Sequence, residues 1–165
     1  MSEVGPVVTN SGPLIALATV GQMDLVGGLF GSVLVPEAVF REVTWFGALR
    51  PGAAELAAAT WAVRVELDTP PDALLAEDVG PGEAEAITLA VRSRARLLLL
   101  DDRRARRIAE VAYHLRVKGV AGILVTAKRR GLVASVCPVL EEIRANGYYL
   151  AQTIIDRALC EAGER

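Results

Sequence analysis

Short apolar runs alternate along the chain with longer segments in which apolar residues recur at helical spacing. We predict strands at 7–9, 32–35, 61–67, 96–100 and 115–118. The continuous apolar run that ends at Leu100 is typical of a strand buried on both faces. Because strands that alternate with helices are joined by right-handed crossovers, the pattern predicts an α/β fold in which helices cover both faces of a parallel sheet.

Helices are predicted between these strands and after the last one. They cover 13–30 with breaks at Gly21 and Gly27–Gly28, a segment that begins at Pro36, and then Ala53–Thr60, Gly82–Arg94, Asp102–His114, a segment from Gly122 through Lys128, Val136–Asn146 and Ile154–Cys160. Gly47–Pro51 is predicted to be a turn and Asp68–Asp72 a loop. A chain of 165 residues is expected to form one domain, 1–165, with a helical tail at about 151–165.

The composition indicates a globular protein and adds one chemical hint. Hydrophobic residues make up 52% of the chain and charged residues 23%, as in ordered domains. Of the 18 cationic residues 16 are arginine, which binds phosphate bidentately. A GC-rich genome explains that ratio equally well.

Several classes of protein are disfavoured. Cys137 and Cys160 are too few for a disulfide framework and are predicted to be reduced, and with His114 as the only histidine a structural zinc site is not expected. The first residues have no basic segment before an apolar core, and no apolar run approaches the ~18 residues of a membrane span. We therefore expect a cytoplasmic protein without membrane association.

Four acid-or-amide side chains stand at strand ends or on the helices that follow them: Asn10, Glu42, Glu83 and Asp102. The carboxyl ends of parallel strands meet at one edge of a sheet, so we expect these side chains to converge. Converging carboxylates repel one another unless a cation lies between them, and Mg²⁺ and Mn²⁺ prefer such oxygen ligands. A water on such an ion can attack a phosphodiester, which favours a metal-dependent nuclease.

Three of these positions also have a purely structural interpretation. Glu83 shares a helical face with Ala86 and Ile87, which indicates an inward carboxylate in need of a partner, but a Glu in the first turn can simply complement the helix dipole. Glu42 fits a surface ion pair equally well. On residue type alone, Asn10 fits a turn or a helix N-cap better than a metal site.

Two further acids lie next to these positions. Asp101 and Asp102 follow a strand together, and one of them can cap the next helix. We favour Asp102 as a metal ligand and Asp101 as the cap or as a support for the ligands. Glu85 shares a helical face with Thr88 and Arg92 and is predicted to face solvent.

Basic residues gather near the acids. Seven arginines lie between residues 92 and 107, and a second cluster lies at 128–130. Cations beside a carboxylate pocket can hold a phosphate backbone, although a solvated helix face is an equal alternative. Arg103, Arg107 and Lys128 are our candidates for contact with RNA.

Five motifs in order resemble those of PIN domains: N-S-G-P-L-I, V-P-E-A-V-F-R-E, G-E-A-E-A-I-T-L-A, L-L-L-D-D-R-R-A-R and G-V-A-G-I-L-V-T-A-K-R-R-G. The resemblance covers about residues 5–150 and is strongest to the branch similar to the toxins of type II toxin–antitoxin pairs. It implies a three-layer α/β/α sandwich with a mostly parallel five-stranded sheet. It also implies an endoribonuclease that depends on Mg²⁺ or Mn²⁺, forms a homodimer and is neutralised by a small antitoxin protein.

The resemblance also assigns site residues. It implies the quartet Asn10, Glu42, Glu83 and Asp102. We take Glu42, Glu83 and Asp102 as catalytic residues that hold the metal, with Asn10 and, from its position beside Asp102, Asp101 as assisting metal ligands. The family's first acid is typically Asp where this chain has Asn10, and many members carry another acid where it has Arg104. These departures favour the alternative of a catalytically silent PIN-like module that binds RNA or a protein. A nucleotide-binding domain is disfavoured because the chain lacks a glycine-rich phosphate loop.

Overall fold

Five parallel strands form the central sheet of the computed structural model, which describes residues 4–45 and 50–165. The strands are β1 Val7–Thr9, β2 Val33–Pro36, β3 Ala62–Val65, β4 Leu97–Leu99 and β5 Val117–Lys118. Their order in the sheet is β3-β2-β1-β4-β5, and every neighbouring pair is parallel. The predicted α/β fold is therefore confirmed, with a sheet that is parallel throughout in the described residues.

Ten helices connect and cover these strands in the described ranges. They are α1 Ser11–Ala18, α2 Leu25–Phe30, α3 Glu37–Thr44, α4 Ala53–Ala58, α5 Ala73–Asp78, α6 Pro81–Arg92, α7 Arg103–Tyr113, α8 Val120–Arg129, α9 Cys137–Ala145 and α10 Gln152–Glu161. The predicted helical tail corresponds to α10. The short helix α5 was not predicted, because its six residues follow a Pro/Asp-rich loop and are too few for a clear helical period.

The strands separate two hydrophobic cores, because successive side chains of a strand point to opposite faces of the sheet. Val7, Leu97 and Leu99 pack into one core with residues of α1, α2, α3, α8, α9 and α10. Val8 and Leu98 pack into the other, which α5, α6 and α7 cover. The protein therefore has the predicted three layers.

The segment between β1 and β2 differs from its prediction at one point. Gly21 lies in the turn between α1 and α2 with a φ of +68°, which suits a glycine. Gly27 and Gly28 do not break the helix but lie within α2. A Cβ atom at Gly27 would overlap the indole ring of Trp61, so the missing side chain lets that ring pack on the helix. The predicted turn at Gly47–Pro51 falls largely outside the described residues.

None of the helices in the described ranges has both the length and the apolar character that a membrane crossing requires.

Replacement of Gly27 by Ala should lower the free energy of unfolding by about 1–3 kcal/mol, because the new methyl group overlaps Trp61. The matched control is Gly28→Ala in the same helix, where the new Cβ would lie 3.7 Å from Cδ1 of Leu132, an ordinary contact. That control should be neutral or stabilising by about 0.5–1 kcal/mol, since Ala is the better helix former. Urea unfolding of both variants measures the difference, and equal effects would contradict the packing of Trp61 on Gly27.

Candidate functional site

The candidate site lies where β1 ends, at the centre of the sheet. The chain leaves β1 towards β2 on one side and later adds β4 on the other, so this edge is a topological switch point, the usual place for a ligand site in such sheets. The backbone N–H of Asn10 donates to the carbonyl oxygen of Leu99 at 2.8 Å, which fixes the end of β1 against β4. Asn10 and Ser11 are buried, with 2% and 7% of their surfaces exposed.

Asn10 has an unusual hydrogen-bonding state. Its Nδ2 donates to Oε1 of Glu83 across a long 3.5 Å. Its Oδ1 is buried and has no hydrogen-bond partner among the described residues. A buried acceptor without a partner costs about 1–3 kcal/mol, so such an atom calls for a ligand.

Glu42 reaches the same place from α3. Ser11 donates its hydroxyl to Oε2 of Glu42 at 2.7 Å. Burial raises the pKa of the Glu42 carboxyl, against the hydrogen bond from Ser11, and the negative charges of Glu83 and Glu85 raise it further. The carboxylate thus stands in an environment that disfavours its charge and would gain from a nearby cation.

Two glycines at the start of α6 make room for these carboxylates. A Cβ atom at Gly82 would lie 2.5 Å from Oε1 and 2.9 Å from Oε2 of Glu42, and one at Gly80 would lie 2.5 Å from Oε2 of Glu83. Glu83 itself is in the first turn of α6. The sequence analysis missed the role of these glycines, although G-P-G-E is a visible signal beside the predicted acid.

The prediction for Glu85 was wrong. Its side chain is half-buried, and its Oε2 accepts a hydrogen bond from the backbone N–H of Ala38 at 2.9 Å. Glu85 therefore satisfies an N–H group in the first turn of α3 and joins that helix to α6. Helical spacing within α6 could not show this, because the partner is 47 residues away.

Asp101 lies on the face of the sheet opposite to α6 and Glu83. It follows Leu100, which packs against α6 and α7, so the alternation directs Asp101 towards α8. Its Oδ1 accepts from the N–H of Val120 at 2.9 Å, and its Oδ2 accepts from the hydroxyl of Tyr148 at 2.8 Å. Burial raises the pKa of Asp101, while these two donors and the charge of Arg106 oppose the rise.

Tyr148 completes this second cluster and was missed by the sequence analysis. Burial, followed by the charge of Asp101, holds the pKa of its hydroxyl far above the usual range, so Tyr148 acts as a neutral donor. A Cβ atom at Gly12 would lie 3.0 Å from this hydroxyl and 3.6 Å from Cβ of Asp101. The cluster thus lies against the start of α1, next to Ser11. No local motif points to Tyr148, which follows α9 in an irregular segment.

Asp102, and not Asp101, caps α7. It is the exposed N-cap residue, and its Oδ1 accepts from the N–H of Ala105 at 2.8 Å. Our assignment of the cap to Asp101 is therefore wrong: the residue directly before the first helical turn takes the cap. The cap occupies one carboxylate oxygen of Asp102, and its role as a metal ligand and catalytic residue remains a prediction.

The three predicted RNA contacts differ in environment. Arg103 and Arg107 are exposed on α7. Lys128 is half-buried near the far end of α8, where it donates to the carbonyl oxygen of Ala162 at 2.9 Å and lies 3.5 Å from Oε2 of Glu164. Those interactions tie α8 to the end of α10, so the RNA contact at Lys128 remains a prediction without structural support. Arg104 pairs with Asp78 at 3.1 Å.

The residues present suit a divalent cation in their chemistry. Within 4–45 and 50–165, no group of three or more His, Cys, Asp and Glu side chains is arranged to hold a metal ion. The switch point instead brings together two carboxylates and one amide oxygen, those of Glu42, Glu83 and Asn10. Such hard oxygen atoms are the ligands that Mg²⁺ and Mn²⁺ take.

A comparison with protein families matches residues 6–164 to a family model described as a PIN domain. The match covers almost the whole chain, α10 included, and agrees with the five-stranded parallel sheet and its three layers. The chain therefore belongs to the PIN domain family, which has a nuclease-like fold. Comparisons with curated proteins and with solved structures gave no match.

Replacement of Glu42 by Gln should stabilise the protein in chelator at neutral pH. Because the pKa of Glu42 is raised in the folded state, its contribution to stability is present below the unfolded pKa and is lost as pH rises through the folded pKa. The gain from Gln should therefore be larger at pH 7 than at pH 4. Urea unfolding at the two pH values measures it. Glu142→Gln, at an exposed position on α9, is the control and should show no such pH-dependent gain.

Proposed function

We propose that this PIN domain is an endoribonuclease that depends on Mg²⁺ or Mn²⁺ and acts at the end of β1. One observation carries the proposal: Asn10 is buried with a partnerless Oδ1, its Nδ2 lies 3.5 Å from Oε1 of Glu83, and the charge of Glu83 in turn raises the pKa of Glu42. A function that binds no cation would gain nothing from this arrangement, because the arrangement lowers the stability of the protein when no cation is present.

The side chains divide the work between holding and positioning. Asn10, Glu42, Glu83 and Asp102, the four positions that the family resemblance gives, would hold the cation, and Asp101 would assist by supporting these ligands. When bound, the ion would polarise the scissile phosphate and supply hydroxide near neutral pH. Ser11 fixes the carboxylate of Glu42 through its hydroxyl. Asp101 holds the end of β4 to α8 and Tyr148, since both its oxygens already accept hydrogen bonds.

A second candidate function rests on Asn10 itself. An amide oxygen can ligate a cation but brings no charge, so its affinity for metal is lower than that of a carboxylate. This favours, as the alternative, a silent PIN-like module that binds RNA or a protein. The toxin role, the small antitoxin and the homodimer are proposed from the family resemblance. A small helix-turn-helix or ribbon-helix-helix protein encoded immediately upstream would support them.

Cleavage of single-stranded RNA in Mn²⁺ tests the proposal. Glu42→Gln and Glu83→Gln should each lower the cleavage rate by about 100-fold or more, since each removes a charge that would hold the ion. The control Glu142→Gln should keep the rate of the unmodified protein. Mn²⁺ should also raise the melting temperature of the unmodified protein and do so much less for Glu83→Gln. Failure of Mn²⁺ both to stabilise the protein and to support cleavage would contradict a metal-dependent nuclease.

Asn10→Asp separates the nuclease from the silent module. The added carboxylate should raise Mn²⁺ affinity and the cleavage rate, and it should destabilise the protein in chelator because it adds repulsion to Glu42 and Glu83. Stability effects of opposite sign with and without Mn²⁺ are expected. The same shift under both conditions would mean that Asn10 is a turn residue only. A gain of activity from none would mean that the natural chain is the silent module.

RNA binding should depend on the exposed face of α7. Reversal of charge in the double variant Arg103→Glu/Arg107→Glu should weaken binding of all RNA sequences alike and flatten the dependence of log K on log salt by roughly 0.7 for each phosphate that is no longer neutralised. The contrasting variant is Arg144→Gln, an exposed arginine on α9 that pairs with Glu141 and should leave the salt dependence unchanged, while Lys128→Gln tests the third predicted RNA contact. Fluorescence anisotropy of labelled RNA in chelator measures the affinity of each variant over a range of salt concentrations. A salt dependence that falls with Lys128→Gln alone would place the RNA on α8 instead.

A further inference from the structure

A cavity lies on the other side of the sheet from Glu83, between β5, α8 and α10. Its volume is about 220 Å³, and its charged lining residues are Asp101, Arg106, Lys118, Arg157 and Glu161. We call it the α10 cavity. This volume lies below the range of roughly 300–1,000 Å³ that is usual for pockets of drug-sized ligands, so it suits a small group.

Positive charge is in excess in the α10 cavity. Three of its residues are cations, and neither Arg106 nor Arg157 forms a salt bridge among the residues that the structure describes. Of its two acids, Asp101 already accepts hydrogen bonds from the N–H of Val120 and the hydroxyl of Tyr148. Glu161 is left as the one acid without a described side-chain donor. Arg106 acts on Asp101 through its charge, but it forms no described salt bridge, so an anion that enters here would meet three cations and only one acid that has no described donor.

Lys118 is held in place to face this cavity. A Cβ atom at Gly122 would lie 2.8 Å from Cγ of Lys118, so the lysine stem runs along α8 only because residue 122 is a glycine. Its Nζ donates to Oγ1 of Thr126 at 2.7 Å, and Thr126 in turn donates to the carbonyl oxygen of Gly122 at 3.0 Å. One ammonium proton is thus used for positioning, and two remain for a ligand.

The surroundings of Lys118 disfavour its charge when no ligand is bound. Burial lowers its pKa first, and the charges of Arg116, Arg129 and Arg130 lower it further, whereas the charge of Glu161 opposes the change. A bound anion would relieve this repulsion. Gly119 leaves space for two side chains of the cavity, because a Cβ there would lie 2.9 Å from Nη1 of Arg106 and would overlap Oδ1 of Asp101. The backbone therefore leaves room for both side chains at the wall of the cavity.

We propose that the α10 cavity binds the phosphate of a phosphomonoester through Arg106, Lys118 and Arg157. Two guanidinium groups and an ammonium group match a dianionic phosphate better than a diester, which carries a single charge. The phosphate comes either from a free nucleotide or from the terminus of an RNA. The proposal does not rest on nuclease activity: of the residues proposed at the cation site, only Asp101 lines the cavity, and both its oxygens already accept hydrogen bonds.

Isothermal titration calorimetry with inorganic phosphate and with adenosine 5′-monophosphate, in chelator and in phosphate-free buffer, tests the site. Arg157→Ala and Arg106→Ala should each weaken binding about tenfold, as expected when one charge-assisted hydrogen bond is removed. Glu161→Gln should strengthen binding, because it removes the acid that competes with the phosphate. The matched control is Arg104→Ala, an exposed arginine on the same helix as Arg106 that pairs with Asp78 and lies outside the cavity, which should leave affinity unchanged.

Two results would overturn the proposal. The first is the absence of saturable binding of both probes up to about 10 mM. The second is an equal decrease in affinity for Arg104→Ala and Arg157→Ala, which would show general charge attraction. A comparison of RNA that has a 5′-phosphate with RNA that has a 5′-hydroxyl identifies the source of the phosphate. If the 5′-phosphate RNA binds more tightly, the ligand is the terminus of an RNA. If the two RNAs bind equally and the mononucleotide binds, the ligand is a free phosphomonoester. Because no metal is present, these measurements stay valid if the protein fails to cleave RNA.

Discussion

The parallel pairing of β1 between β2 and β4 is the constraint on which the candidate site depends. Because β1 is central, Asn10, the residue that follows it, is buried, and its polar side chain has little access to solvent. The same pairing brings α3 and α6 over the end of β1, so that Glu42 and Glu83 arrive from segments far apart in sequence. A change that shifts β1 in register would separate all three side chains at once.

The sheet also divides the chemistry of the protein between its two faces. Glu83 meets Asn10 on the side of α6, whereas Asp101 serves Val120 and Tyr148 on the side of α8. The two acids are handled in opposite ways. Both oxygens of Asp101 accept a hydrogen bond, which makes it a structural anchor, whereas the carboxylate of Glu83 receives one long hydrogen bond from the residues that the structure describes. A carboxylate with few hydrogen-bond donors, next to an amide oxygen without a partner, suits a cation site. A buried carboxylate whose oxygens both accept hydrogen bonds instead stabilises the core.

Glycines set the geometry on both faces. Gly80 and Gly82 admit the carboxylates of Glu83 and Glu42, and Gly119 and Gly122 admit the charged side chains of the α10 cavity. None of these four has the positive φ that often explains a glycine, so their role is close approach and not backbone freedom. Charged groups are thereby packed against backbone, where desolvation changes their pKa values, as it does for Glu42 and Lys118.

The sequence by itself determined the order of the strands and of the helices other than α5, and the inward position of Glu83, because apolar periodicity is a local property. Local rules also misplaced some side chains: the helix cap belongs to Asp102, and Glu85 binds Ala38 of another helix. Only the tertiary structure decided that Asp101 pairs with Tyr148 and that Lys128 binds the end of α10. These partners lie 47 and 34 residues away, and a single sequence carries no signal for which distant residue will meet a buried charge.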